Sequence, residues 1–163
     1  MFVENVISSL SFQRKLVGKL VDELSDQQMV TQVGELVNHP AWQIGHLTTS
    51  LGGLMGMIGG EVGEIFGNQE LYGKGSIPVA QQGRYASKET LLAGLDKAHE
   101  AIIAQLKTMS QEDFQKPTPH EKFAAMCPQL SNLIMLIGVS HENIHIGQLM
   151  SWRKMMGLPG VLG

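Results

Sequence analysis

Residues 141–149 read HENIHIGQL, so His141 and His145 stand four apart. On a helix such a pair lies on one face, one ring above the other, close enough to share a metal ion. Taken alone, H-E-x-x-H is the zinc-protease motif, with Glu142 as general base. That chemistry needs a further ligand downstream. Everything after His145 reads IGQLMSWRKMMGLPGVLG, which contains no His, Asp, Glu or Cys. The protease reading therefore fails, and Glu142 loses its automatic role.

A third protein ligand must come from upstream. His46, in WQIGHLTTS, is the best placed, because it interrupts a stretch from Leu36 to Gly60 with no Asp, Glu, Lys or Arg. At helical spacing the aliphatic stripe there is Ile44, Leu47, Leu51, Leu54, Met55 and Ile58. His46 lies off that stripe with Trp42, Thr49, Ser50 and Gly53. Downstream, His141 and His145 share a face with Ile134, Gln148 and Trp152. Two polar islands, each flanked by a tryptophan, would meet in a helical core as a tris-histidine pocket with open coordination positions.

Four helical segments must position these residues. The first runs from about Phe2 to Leu24, with Ser25-Asp26 ending it or capping a short turn. A second begins at Asn38-His39-Pro40, where the proline suits a first turn, and ends at Gly59-Gly60. The third starts after Ser87 and runs to about Met109; the fourth spans Leu130 to Met156 and stops at Gly157-Leu158-Pro159-Gly160. No strand pattern stands out. Glu61 to Ser87, with five glycines and Pro78, is long enough to run the length of a bundle. The expected architecture is all-α: one four-helix bundle domain over residues 1–163, with a long crossover between helices two and three.

Composition narrows the function. A hydrophobic fraction of 43%, a charged fraction of 17% and a net charge of −3 describe a soluble globular chain with no basic surface for nucleic acid. Neither charge-free stretch reads as a membrane span, since each is broken by polar residues, glycine or proline. The N-terminus lacks the pattern of a signal peptide, and the lone Cys127 excludes an internal disulfide, so a cytoplasmic location is expected. Arg153-Lys154 reads as solvated surface, and Cys127 as a small buried hydrophobe.

WQIGHLTTS and HENIHIGQLMSWRKMMGLP, residues 42–50 and 141–159, together resemble the DinB-like family, which includes metal-dependent thiol transferases. The resemblance implies a four-helix bundle with a long crossover, holding one divalent ion, usually zinc or nickel. It carries one histidine on helix two onto His46 and an H-x-x-x-H pair on helix four onto His141 and His145. It also implies a small-molecule substrate and a possible homodimer.

Three neutral imidazoles leave an ion its full charge, so it acidifies a bound water or thiol. Activated water gives hydrolysis; a thiolate gives S-transfer, which the resemblance favours. With Cys127 buried, the thiol would be a low-molecular-weight cofactor such as bacillithiol, mycothiol or glutathione. The rival is a metal-binding stress or interaction protein without turnover. Other residues keep two readings each. Glu142 is a surface or outer carboxylate, or a general base; Gln148 bonds a ligand or packs helices. His99 is a core histidine or a pocket residue, and Trp42 and Trp152 are an aromatic wall or plain core. His39 reads as a helix cap and His120 as a loop residue. Tyr72, Arg84 and Tyr85 read as surface loop, with the pocket mouth as the alternative.

Overall fold

A computed structural model describes residues 1–162. Among them there is no strand, only two isolated bridges. In chain order the α-helices are α1 (Phe2–Val21), α2 (Asp26–Met29), α3 (Pro40–Met57), α4 (Gln69–Tyr72), α5 (Lys88–Thr108), α6 (Glu121–Ala124), α7 (Leu130–Ile134) and α8 (Glu142–Met155). The expected four segments correspond to α1, α3, α5 and the run from α7 to α8.

Local chemistry sets the helix ends. His39 caps α3, its Nδ1 accepting from the Trp42 amide, and Pro40 occupies the first turn. Ser25 and Gln28 form a reciprocal capping box on α2, and Ser87 accepts from the Thr90 amide at the start of α5. At the end of α8, Gly157 takes φ +73°, and the Leu158 amide returns to the Arg153 carbonyl while the Gly157 amide returns to Lys154. That is a glycine-dependent Schellman stop.

Four pairs of neighbours close the bundle: α1 with α5, α5 with α3, α3 with α8, and α8 with α1. Side-chain bonds give the directions. Arg14 pairs with Asp96 while Lys88 reaches the Asp22 carbonyl, so α1 and α5 are antiparallel. Gln105 reaches the Ile58 carbonyl, which sets the C-terminal ends of α3 and α5 side by side. These two helices run parallel, and the crossover must therefore travel back along the bundle. It does so as a packed segment: Phe66, Tyr72 and Tyr85 are buried there. The surface-loop reading of Tyr72 and Tyr85 is corrected by this burial, whereas Arg84 is exposed. Large aromatic rings in a glycine-rich loop have core to cover.

The fourth segment differs from expectation. Between α7 and α8 the chain widens into a π-helix, Met135–His141. Gln13, buried on α1, donates to the Val139 carbonyl at 2.8 Å, supplying a partner inside the widened ladder. Such widened turns shift the side chains that follow them and recur at functional sites. Here the widened turn ends on His141. Arg153 is a second correction: instead of solvated surface it is buried, bonded to the carbonyls of Leu20 and Pro159 and to Glu23. Five donors on one planar group allow such burial. No helix among the described residues is long and apolar enough to cross a membrane.

Candidate metal centre

His46 comes from the middle of α3, His141 from the last π turn, and His145 from the first turn of α8. One nitrogen from each lies within 4.8 Å of the others. The ring centroids are 5.2 Å apart for His46–His141, 4.9 Å for His46–His145 and 4.7 Å for His141–His145. Two segments almost a hundred residues apart thus converge as the helical faces required.

Outer hydrogen bonds orient two of the rings. His46 Nδ1–H donates to the Tyr72 carbonyl at 2.7 Å, and His145 Nδ1–H donates to Gln43 Oε1 at 3.4 Å. Each assignment follows from the partner being an acceptor, and each frees Nε2 as a lone pair for an ion. Gln43 is itself held by donating to the Asn38 carbonyl, and Asn38 donates to Gln148 Oε1. Gln148 therefore acts on the site through two intermediaries.

Electrostatics keep the rings neutral. Burial pushes His46 below its ordinary value, partly offset by the Tyr72 carbonyl. Burial with the neighbouring His46 pushes His141 down to about 4, and burial with both neighbours pushes His145 down to about 3. Three imidazoles unprotonated at neutral pH are the form that binds metal. His141 adds a direct sign of a missing partner: its Nδ1 is buried without a hydrogen bond. A buried polar atom left alone is unfavourable, and a cation in the cluster answers it. The donor set fits a divalent ion such as zinc or nickel.

The rings open onto a cavity of about 590 Å³ between α3, the crossover, α6 and the π turn. Trp42 forms one wall, its indole stacked on His46 at 4.6 Å and 8° and its Nε1 donating to Ser76. Met57, Phe123, Leu136, Ile137 and Ile144 make the rest largely apolar. A larger cavity of about 740 Å³ touches Tyr72 on the α5 side, but no histidine lines it.

A family model of the DinB superfamily matches residues 9–149, a span that includes all three histidines. The chain belongs to the DinB superfamily. Among curated proteins, none matches it.

Against this DinB frame the remaining sequence expectations separate. Glu142 is neither exposed nor part of the histidine cluster. It is 1% exposed, and both carboxylate oxygens take His99 Nε2, at 2.9 and 3.1 Å. Burial raises its pKa, with His99 opposing. The widened turn before α8 places this residue across the core from α5, so its surface reading is corrected and no contact supports a general-base role. His99 is the core histidine of its two readings. Trp42 and Trp152 divide: Trp152 is core, donating to the Thr31 carbonyl. His39 caps α3, and His120 caps the short α6. Cys127 is buried, as expected.

The sequence reading missed Gln43, the Tyr72 backbone and Gly45. A Cβ on Gly45 would run into the Tyr72 ring, so this glycine admits the ring whose carbonyl orients His46. Gly45 was visible as a glycine inside an apolar helix beside a candidate ligand, which is the signal of close approach.

Proposed function

We propose that this DinB protein is a metal-dependent enzyme that transfers the sulfur of a low-molecular-weight thiol to a small, largely apolar electrophile. The observation that carries the reading is the pairing of a three-imidazole cluster with an apolar cavity whose lining includes no Asp, Glu or Cys. When bound, a divalent ion there retains its full charge, acidifies a thiol or water and polarises an electrophile.

The chain's own groups fit that division of labour. Tyr72 and Gln43 hold His46 and His145 with Nε2 toward the cluster. Trp42 and Phe123 flank the opening and exclude water, which strengthens charge interactions inside. Thr49, Ser50 and Gln69 supply neutral polar contacts. Hydrolysis is served by a positioned general base, and the nearest sequence candidate, Glu142, spends both oxygens on His99. A thiol needs no such base once acidified, because the thiolate is already a strong nucleophile. Buried Cys127 does not line the cavity, so the thiol comes from solution. A cytoplasmic setting, where such thiols are abundant and reduced, belongs to the same proposal.

The test is a panel of small electrophiles assayed with and without bacillithiol, mycothiol or glutathione, comparing wild type with His145→Ala. Thiol-dependent consumption in wild type alone supports S-transfer. Thiol-independent consumption in wild type alone supports hydrolysis. Equal background rates in every arm support a metal-binding protein without turnover.

A further inference from the structure

The cavity beside the histidines contains one charged side chain, Lys74. Its segment is fixed at two points: the Tyr72 carbonyl accepts from His46, and Ser76 Oγ accepts from Trp42 Nε1. Lys74 lies between these anchors, so the backbone that orients a histidine also delivers an ammonium to the cavity mouth. From the other side α6 brings Lys122 next to Phe123, which lines the same cavity. The two ammonium groups meet within hydrogen-bonding reach of one another. Neither takes part in an ion pair among the described residues.

Two like charges brought together at the rim of an apolar cavity, with no carboxylate between them, are an unfavourable arrangement for the empty protein. Proximity to Lys74 lowers the Lys122 pKa, the direction expected of such crowding. The chain as a whole carries a net charge of −3, so this positive rim is a local feature. An anion seated between the two groups relieves the repulsion and steers its carrier to the opening.

We propose that the cavity selects an apolar small molecule bearing a carboxylate, with its apolar part against Trp42 and Phe123 and its carboxylate between Lys74 and Lys122. This inference takes the cavity of the proposed enzyme as its substrate site and names the class of molecule it accepts.

The experiment compares 3-phenylpropionate, 4-phenylbutyrate and 6-phenylhexanoate with their primary amides, by calorimetric titration at low salt. Proteins are wild type, Lys74→Gln, Lys122→Gln and the double variant, each zinc-loaded and metal-free. Wild type should bind the best carboxylate about fivefold tighter than its amide, in both metal states and less so in high salt. The double variant should bind the two equally, with amide affinity and thermal stability unchanged. A preference that persists in the double variant overturns the proposal. So does a preference confined to the zinc-loaded form, which assigns the carboxylate to the ion, and so does an absence of binding by all three carboxylates. Because the metal-free arm needs neither metal nor turnover, failure of this anion site and failure of the metal-enzyme reading are separate results.

Discussion

Gly45→Ala puts the clasp on His46 to a quantitative test. The added Cβ would overlap three atoms of the Tyr72 ring, of which the farthest, Cγ, would be at 2.5 Å. Ordinary carbon contacts begin near 3.5 Å, so the ring must retreat by about 1 Å. Tyr72 has little room, since its hydroxyl accepts from the Ala86 amide and its side chain is buried. Overpacking of this kind costs about 1–3 kcal/mol, while replacing a mid-helix glycine by alanine returns about 1 kcal/mol. The net expectation is a loss of about 1 kcal/mol in stability. As the ring retreats it draws its carbonyl off His46 Nδ1, and loss of such an outer partner lowers metal affinity about 10–100-fold. Gly18→Ala on α1 is the control, because a Cβ there meets nothing within 4 Å, and it should stabilise by about 0.5–1 kcal/mol with unchanged metal affinity. Urea denaturation and competitive zinc titration against a chromophoric chelator read both quantities. If Gly45→Ala matched Gly18→Ala in both, the reasoning about Tyr72 would be refuted.

Glu142→Ala should destabilise by about 3 kcal/mol, because it leaves His99 Nε2 buried without an acceptor, while zinc content per folded chain stays at the wild-type level. Loss of activity without loss of stability would instead make Glu142 a participant in the chemistry. For metal-free protein, stability should fall as pH drops from about 6.5 toward 4. His39, His46, His141 and His145 all have folded-state pKa values below the model value, so the unfolded chain binds more protons in that window. Each such ring contributes up to about 1.4 kcal/mol per pH unit. Glu142, with a raised pKa, acts oppositely, as stability lost while pH rises through its folded value, but it is one group against four. Urea midpoints of chelator-treated protein across this range check the sign, and a midpoint that rose on acidification would contradict it.

The site's ligands were legible because each depends on one regularity. Four-residue spacing fixes His141 and His145 on one face whatever surrounds them, and a histidine in a charge-free helix demands a buried partner. Helix ends were legible through Ser25, Pro40, Ser87 and Gly157, whose capping chemistry is local. What was hidden depends on contacts between distant segments. The π turn responds to Gln13, more than a hundred residues away, and no periodicity in MLIGVSH announces it. That turn is also why helical-wheel reasoning left Glu142 outside the core. Tyr72 was hidden differently: it acts through a backbone carbonyl, which every residue has, so side-chain type carries no signal of its role.

Metal content measured by mass spectrometry on protein purified without a polyhistidine tag tests the central claim most directly. About one equivalent of zinc, nickel or a similar divalent ion per chain is expected in wild type, falling sharply in His46→Ala and in His141→Ala. Full occupancy in both variants would contradict a shared site built from α3 and the start of α8.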